Sequence, residues 1–282
     1  MQIPTCLHAG VAATAIAVAG IAGPATAAAA PVTQARPTST AAPDIQPPDT
    51  TIAPDAAVPP GGLVTSFLHN QLVYCSIICP LVVQAGVTAA VTTQQAPDTF
   101  RTASQSGDLL RAIGATVASV TGPTDAAAEA AILADGTEVA PRALNAFEVG
   151  VVGLLNVVPA AANGLPAVVT AARTARRDTF TALNAPIVPN PAPTVAPHGL
   201  VEVAVVAAID VGAAVAFPAF NDVLSGVFRT PDAVARELAA TGDPARAVAA
   251  GADAVTAVQT AASTVIAASI ADAVDRIHTA AG

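Results

Sequence analysis

PARAVAAGADAVTAVQTAASTVIAASIADAVDRIHTAA, residues 244–281, decides the fold class. Val248, Val255, Val258, Val265, Ile266, Ile270, Val274 and Ile277 form one apolar stripe at helical spacing, with Asp253, Asp272, Asp275 and Arg276 among the polar positions. At about 1.5 Å per residue the helix would be about 55 Å long, which is long for a globular protein. A break near Gly251 or Ser263 is the alternative reading.

The residues just before this stripe say how the helix begins. In Thr241-Gly242-Asp243-Pro244, Gly242 is placed to take the left-handed conformation that ends a preceding helix, and Asp243 to cap the next one. Thr230-Pro231-Asp232 reads as the start of the preceding short helix, with an N-cap, a proline in the first turn and an acidic residue after it. From Leu63 onward the pattern is also helical, through Leu63, Phe67, Leu68, Leu72 and Ile78. The expected fold is therefore all-α: an Ala/Val-rich antiparallel helical bundle.

The same markers occur twice, in order. Gly62-Leu63-Val64 matches Gly199-Leu200-Val201, Pro80 matches Pro218, and Pro97-Asp98 matches Pro231-Asp232. Ser106-Gly107-Asp108-Leu109-Leu110-Arg111-Ala112 matches Thr241-Gly242-Asp243-Pro244-Ala245-Arg246-Ala247, and the offset stays near about 135 residues. Two copies of one unit are expected: an apolar helix broken at proline, a short capped helix, a Gly-Asp turn and a longer helix. Gly107 and Gly242 would be the C-caps, with Asp108 and Asp243 the following N-caps. A composition this biased also yields such matches by chance, and superposing residues 62–122 on 199–256 decides between the two.

Proline density sets the remaining boundaries. Residues 28–62 carry Pro31, Pro37, Pro43, Pro47, Pro48, Pro54, Pro59 and Pro60, which forbid helix and sheet and favour an extended, disordered chain. Such a spacer reaches roughly 100 Å at about 3.1 Å per residue. Its Thr and Ser residues beside proline suit O-glycosylation in an envelope setting. Pro186, Pro189, Pro191, Pro193 and Pro197 make residues 185–198 a second linker. The organisation read from the sequence is thus a leader at 1–27, a linker at 28–62, helical unit 1 at 63–184, a linker at 185–198 and helical unit 2 at 199–282.

The leader reads as a cleavable secretory signal. Residues 11–22 are an uncharged apolar run too short to span a bilayer comfortably, ended by Gly23-Pro24. Ala25 and Ala27 then supply the small-x-small pattern that signal peptidase reads. The positive start is weak, with no Arg or Lys in the first eight residues, and Cys6 precedes the apolar run instead of following it, which argues against a lipid anchor. Export by the general secretory pathway, to the cell envelope or the medium, is the expectation.

Export also bears on the cysteines. Removal of Cys6 leaves Cys75 and Cys79, an even pair in an oxidising compartment. Four residues apart on a helix, their Cα atoms lie about 6 Å from each other, within disulfide range. A structural disulfide is the leading reading and two buried thiols the alternative. Zinc would need further ligands, and His69, His198 and His278 are widely scattered.

Composition excludes more than it assigns. The 282 residues carry 11 basic and 20 acidic side chains, a balance that argues against nucleic acid as a partner. All the basic residues are Arg, and Arg173, Arg176 and Arg177 form the densest cluster, which a helix C-terminus would explain. Seven Phe, one Tyr and no Trp leave the core to Ala and Val, where each buried methylene contributes only about 0.8 kcal/mol. No Gly-x-Ser-x-Gly elbow, His-Glu-x-x-His or Gly-Lys phosphate loop occurs. Asp and Glu sit where caps and solvated faces would put them. No catalytic residue, cofactor or metal is therefore expected, and the chain reads as a non-enzyme.

Two long uncharged runs keep a membrane in view. Residues 149–172 and 63–97 lack Asp, Glu and Arg, and the mean hydropathy of the chain is +0.60. Asn156, Pro159, Asn163, Gly164 and Pro166 interrupt the first, while Gln, Thr and Ser dilute the second. Buried helices of a soluble bundle are the leading reading. Self-association, or contact with envelope lipid or protein, is the alternative, extending to a pore-like assembly.

The signal peptide, the Pro/Thr/Ala spacer, the absence of Lys and the recurring Gly107-Asp108 and Gly242-Asp243 turns resemble exported alanine-rich proteins of unknown function from mycobacteria and related actinobacteria. Unlike the PE and PPE proteins of those organisms, this chain has no amino-terminal Pro-Glu or Pro-Pro-Glu signature. Ile78, not an acidic residue, stands four after Tyr74, so the type VII export signal is missing as well. The resemblance implies no activity and no site residues.

Overall fold

A computed structural model of the chain describes residues 57–282. The expected signal peptide with Ala25 and Ala27, and the expected spacer up to residue 56, lie outside the described residues. Of the described residues 88% are helical, and no strand occurs among them, so the chain is all-α.

Five continuous helices follow one another. Helix α1 is Gly62–Ser104 and α2 is Leu109–Asn163, the latter containing a π-helical segment at Asp135–Val139 and a 3-10 end at Ala161–Asn163. Helix α3 is Leu165–Leu183. Helix α4 is Gly199–Thr241, with a second π segment at Val215–Ala219, and α5 is Pro244–Ala281. The chain groups into two compact units, and both draw residues from either side of the 185–198 segment.

The first unit comprises residues 78–131 and 224–258 among those described. Its helices approach closely because small residues meet: a methyl placed on Gly114 of α2 would lie 2.3 Å from the Ala239 nitrogen of α4. Gly226 meets Val258 and Gly251 meets Val234 in the same way, pairing α4 with α5. Ala112, Ala235 and Ala247 fill the interior. Such a core buries little area per residue, and close backbone approach recovers dispersion contacts instead.

Both Gly-Asp turns lie in this unit. Gly107 has φ +81° and Gly242 φ +69°, the left-handed region that glycine enters without a Cβ penalty. Asp108 accepts the Arg111 N–H at 3.0 Å, and Asp243 accepts those of Ala245 and Arg246 at 2.8 and 3.3 Å. The turns also face each other: Arg111 donates to the Thr241 carbonyl at 3.4 Å. Each turn follows a 43-residue helix, Gly62–Ser104 in one case and Gly199–Thr241 in the other.

Prolines bend the expectations more than they bend the helices. Pro80 and Pro97 lie inside α1, and Pro231 lies inside α4, where a helix start was expected. Asp232 is accordingly a buried ion-pair partner, not a first-turn residue. A proline in a helix interior costs about 3 kcal/mol through its lost N–H and its clash with the carbonyl four residues back. In helices this long that is a local cost against packing along the whole rod. Helix α5 also runs unbroken through Gly251 and Ser263.

The second unit comprises residues 57–77, 132–223 and 259–282 among those described. Here the uncharged run 149–172 is divided, because Gly164 takes φ +85° and sends the chain back from α2 into α3. The return hairpin is tight: a methyl on Gly153 would lie 2.8 Å from the Ala175 Cβ. Residues 185–198 form no helix or strand, yet they are pinned along α2, Thr194 N–H donating to the Asn145 carboxamide at 2.6 Å. The last spacer residues are held too, with Val58 buried and the Pro59 carbonyl accepting from Arg176 at 2.8 Å.

Candidate functional site

A buried acid beside a half-buried ion pair forms the chemically most distinctive feature of the second unit. Glu148 of α2 is 3% exposed, and it meets Asp210 of α4, whose carboxylate pairs with Arg276 of α5 at 2.5 Å. Arg276 in turn binds Asp272, one helical turn earlier, at 2.9 Å. Both Glu148 and Asp210 sit in apolar surroundings by sequence: residues 149–172 carry no charge, and Asp210 is the only charge between Val203 and Asn221.

Two acids and one nearby cation cannot all stay ionised at low cost in such a place. Burial, a hydrogen bond with Asp210 and the negative charge of Asp210 push the Glu148 carboxyl up to about 8, against a smaller downward pull from Arg276. Glu148 therefore holds its proton at neutral pH. Its Oε1 is buried without a hydrogen-bond partner.

Beside Asp210 lies a cavity of about 260 Å³, walled by Ala140, Leu144, Ala214, Phe217 and Pro218 as well as by Asp210 itself. The two π segments flank it, tied to each other by Asn221 donating to Asp135 at 3.2 Å. A proline accompanies each π segment: Pro141 follows the first, and Pro218 lies in the second. The widened π turn gives the ring room. The wall is almost wholly apolar and presents one carboxylate.

Arg142, two helical turns before Glu148 on α2, has a different task. It is 2% exposed and donates Nε to the Ala185 carbonyl at 3.0 Å, Nη2 to Leu183 at 2.6 Å and Nη1 to Ala182 at 2.5 Å. These are last-turn and following carbonyls of α3, which no N–H of that helix can reach. Asn70 of α1 donates to the Leu183 carbonyl as well, at 2.7 Å. The expected C-terminal cluster, Arg173, Arg176 and Arg177, instead lies within α3, with Arg177 bound to Asp178 at 3.2 Å. Burial lowers the Arg142 guanidinium and raises the Tyr74 phenol, each partly offset by the other.

The first unit holds its own ionic cluster. Glu129 pairs with Arg229 at 2.7 Å and accepts the Ser225 hydroxyl; Asp232 pairs with Arg236 at 2.5 Å and accepts the Thr121 hydroxyl at 2.9 Å. The Asp125 carboxyl is raised, by burial first and then by Glu129 and Asp232, with Arg229 and Arg236 pulling it down. The acids were expected on caps and solvated faces; Glu202 does cap its helix, accepting the His198 N–H at 2.7 Å, whereas Glu148 and Asp232 are buried away from any cap. Among the described residues, no group of His, Cys, Asp and Glu is arranged to hold a metal ion.

Of the residues singled out in the sequence, Cys75 and Cys79 are joined as a disulfide within α1. Gly107, Asp108, Gly242 and Asp243 form the two turns described above. The Glu148–Asp210–Arg276 cluster was missed, because its members are 62 and 66 residues apart in sequence. The available signal was the isolation of each acid in a long apolar stretch, since a lone buried charge requires a partner.

The outer faces of the helices are unusually apolar. Val64, Leu68 and Leu72 are exposed at four-residue spacing on α1, as are Val83, Val87 and Val91 further along it. Helices α1, α2, α4 and α5 are each long and apolar enough to cross a membrane, by length and composition. No protein-family model, curated protein or solved structure matches this chain.

Proposed function

We propose that the chain is an exported, non-catalytic helical protein of the cell envelope or the medium, with a structural role exercised through self-association along α1. One observation carries the reading: the exposed rows Val64-Leu68-Leu72 and Val83-Val87-Val91, each residue between 45% and 71% exposed, within a run from Leu63 to Pro97 that has no Asp, Glu, Lys or Arg.

Residues four apart form a ridge on a helix, and ridges of this kind interdigitate with the grooves of a second helix. The occupant that fits best is the same helix of a second copy. The chain has a net charge of −9, so anionic surfaces repel it, whereas two uncharged α1 faces meet without like-charge repulsion. The Thr hydroxyls of this region, Thr92 and Thr93 among them, bond to carbonyls of their own helix and do not need water.

Light scattering on the purified mature protein, without detergent, tests the reading. A dimer or larger oligomer is expected, reduced to monomer by Leu72→Arg combined with Val87→Arg. A wild-type monomer at about 100 µM would overturn it. Cell fractionation with amino-terminal sequencing tests export, which predicts a mature protein that starts just after Ala27.

A second reading is contact with a lipid bilayer. It is favoured by α5, whose most apolar 18-residue window has no buried residue. Recovery from the membrane fraction only with detergent would support it over self-association in water.

A further inference from the structure

Arg173, Arg176 and Arg177 of α3 are three of the chain's 11 basic residues, and self-association along α1 gives them no task. Arg173 and Arg176 are exposed, and among the described residues neither has an acidic partner. One of them already holds the spacer. Arg176 Nη2 donates to the Pro59 carbonyl at 2.8 Å, and the neighbouring Val58 is buried.

Three contacts fix the direction in which the chain arrives. The Ser66 hydroxyl accepts from Asn184, just past the end of α3, at 2.9 Å. A methyl on Gly62 would lie 3.1 Å from the Phe180 ring, and Pro59 reaches Arg176. Followed back from Ser66 to Pro59, the chain therefore descends α3 towards its N-terminus. Ahead of it on the same helix lies the row Arg173, Val169 and Leu165, exposed and spaced by four residues.

We propose that residues 52–56 lie along this row, with the Asp55 carboxylate paired to Arg173 and Ile52 seated on Val169 and Leu165, so that the tether leaves the protein beside the α2–α3 turn and not at the start of α1. Residues 37–61 carry Asp44, Asp49 and Asp55 and no Arg or Lys, which makes this segment the charge complement of the arginine face. The spans agree. Four residues of extended, proline-containing chain reach about 12 Å from Pro59 back to Asp55, and Arg173 stands about 4.5 Å before Arg176 along the helix axis. Helical side chains lean towards the N-terminus, which carries the Arg173 guanidinium further the same way. Three more residues bring Ile52 to the apolar end of the row.

An exposed ion pair contributes little by itself. Here it extends a strap that Val58 and Pro59 already anchor, and Pro54 restricts the chain before it docks, so less conformational freedom is lost.

Nitrogen-15 relaxation of the full mature protein tests the placement. Backbone order parameters near about 0.85 are expected for Ala53, Asp55 and Ala56, where a free tether gives values below about 0.6. Asp55→Arg is expected to bring them down to the free-tether range, and the further substitution Arg173→Asp to restore them. Low values in the wild type, an Asp55→Arg variant as ordered as the wild type, or a loss that Arg173→Asp does not repair would each overturn the proposal. Order that disappears on dilution overturns it as well, because the occupant of α3 would then be a second copy. Should a variant not fold, the wild type in about 1 M salt decides, since salt screens an exposed pair. The order parameters are expected to fall there, and values that salt leaves unchanged sink the pairing.

Discussion

Arg142 donates to the Leu183 carbonyl at 2.6 Å, so the C-terminus of α3 is capped by a charge carried on α2. Together with the bonds to Ala182 and Ala185, this makes one buried guanidinium the partner of three carbonyls. Arg142→Met would keep much of the volume and leave those carbonyls without partners. Leaving a buried carbonyl unsatisfied costs about 1–3 kcal/mol, which a urea titration would read as a lower midpoint. Arg142→Lys is expected to recover only part of the loss, because an ammonium lacks the guanidinium's planar fork.

The helix-interior glycines divide into two classes, with opposite expected signs. A methyl at Gly114 would fall 2.3 Å from the Ala239 nitrogen and 2.6 Å from the Leu238 carbonyl carbon, both backbone atoms. Gly114→Ala must therefore push α2 and α4 apart, and a loss of about 1–3 kcal/mol from overpacking is expected. Gly86→Ala and Gly212→Ala meet nothing within 4 Å and lie within α1 and α4. Each is expected to raise stability by up to about 1 kcal/mol through helix propensity alone. Thermal melting of the three variants checks the contrast.

The disulfide closes a very small loop, so its stabilisation is modest. The loop-entropy relation gives about 2 kcal/mol for a loop of this size. Cys75→Ser with Cys79→Ser is expected to lower the denaturant midpoint by that order without loss of helix content. Intact mass under non-reducing conditions should show the purified protein two hydrogen atoms lighter than after reduction.

Glu148 gives the fold a pH dependence of definite sign. Its carboxyl stands at about 8 in the folded chain against 4.5 for an ordinary glutamate, so the folded state holds the proton more tightly than the unfolded one. The contribution is fully present below about pH 4.5 and is lost as the pH rises towards 8, with a slope of at most about 1.4 kcal/mol per pH unit. Urea titrations between pH 5 and 9 should show this decline in the wild type and a flatter profile in Glu148→Gln. Equal slopes in the two proteins would refute the assignment.

Helix and turn content was legible along the chain because its causes are local. Alanine-rich stretches with a 3.6-residue stripe form helices wherever they pack, and a Gly-Asp pair ends one helix and starts the next within four residues. Proline was the weak guide. Its cost at Pro80, Pro97 and Pro231 is local and fixed, while the packing that outweighs it is spread along helices of 43 residues. The strap at 185–198 was recognisable as non-helical, but its attachment was not. The Thr137 carbonyl, four residues before Pro141, accepts the Asn190 N–H at 2.7 Å, so one proline's lost bond is replaced from the proline-rich segment.

The sequence by itself determined the helical class and the two turns, and put Cys75 and Cys79 within disulfide reach, all of which depend on residues within a few positions of one another. Tertiary structure decided what the charges do. Glu148, Asp210 and Arg276 each read as ordinary polar positions on their own helices, and only the folding together of α2, α4 and α5 buries Glu148 beside the half-buried Asp210 and Arg276. Burial then makes a carboxyl group 62 residues away in sequence its neighbour and raises its own carboxyl.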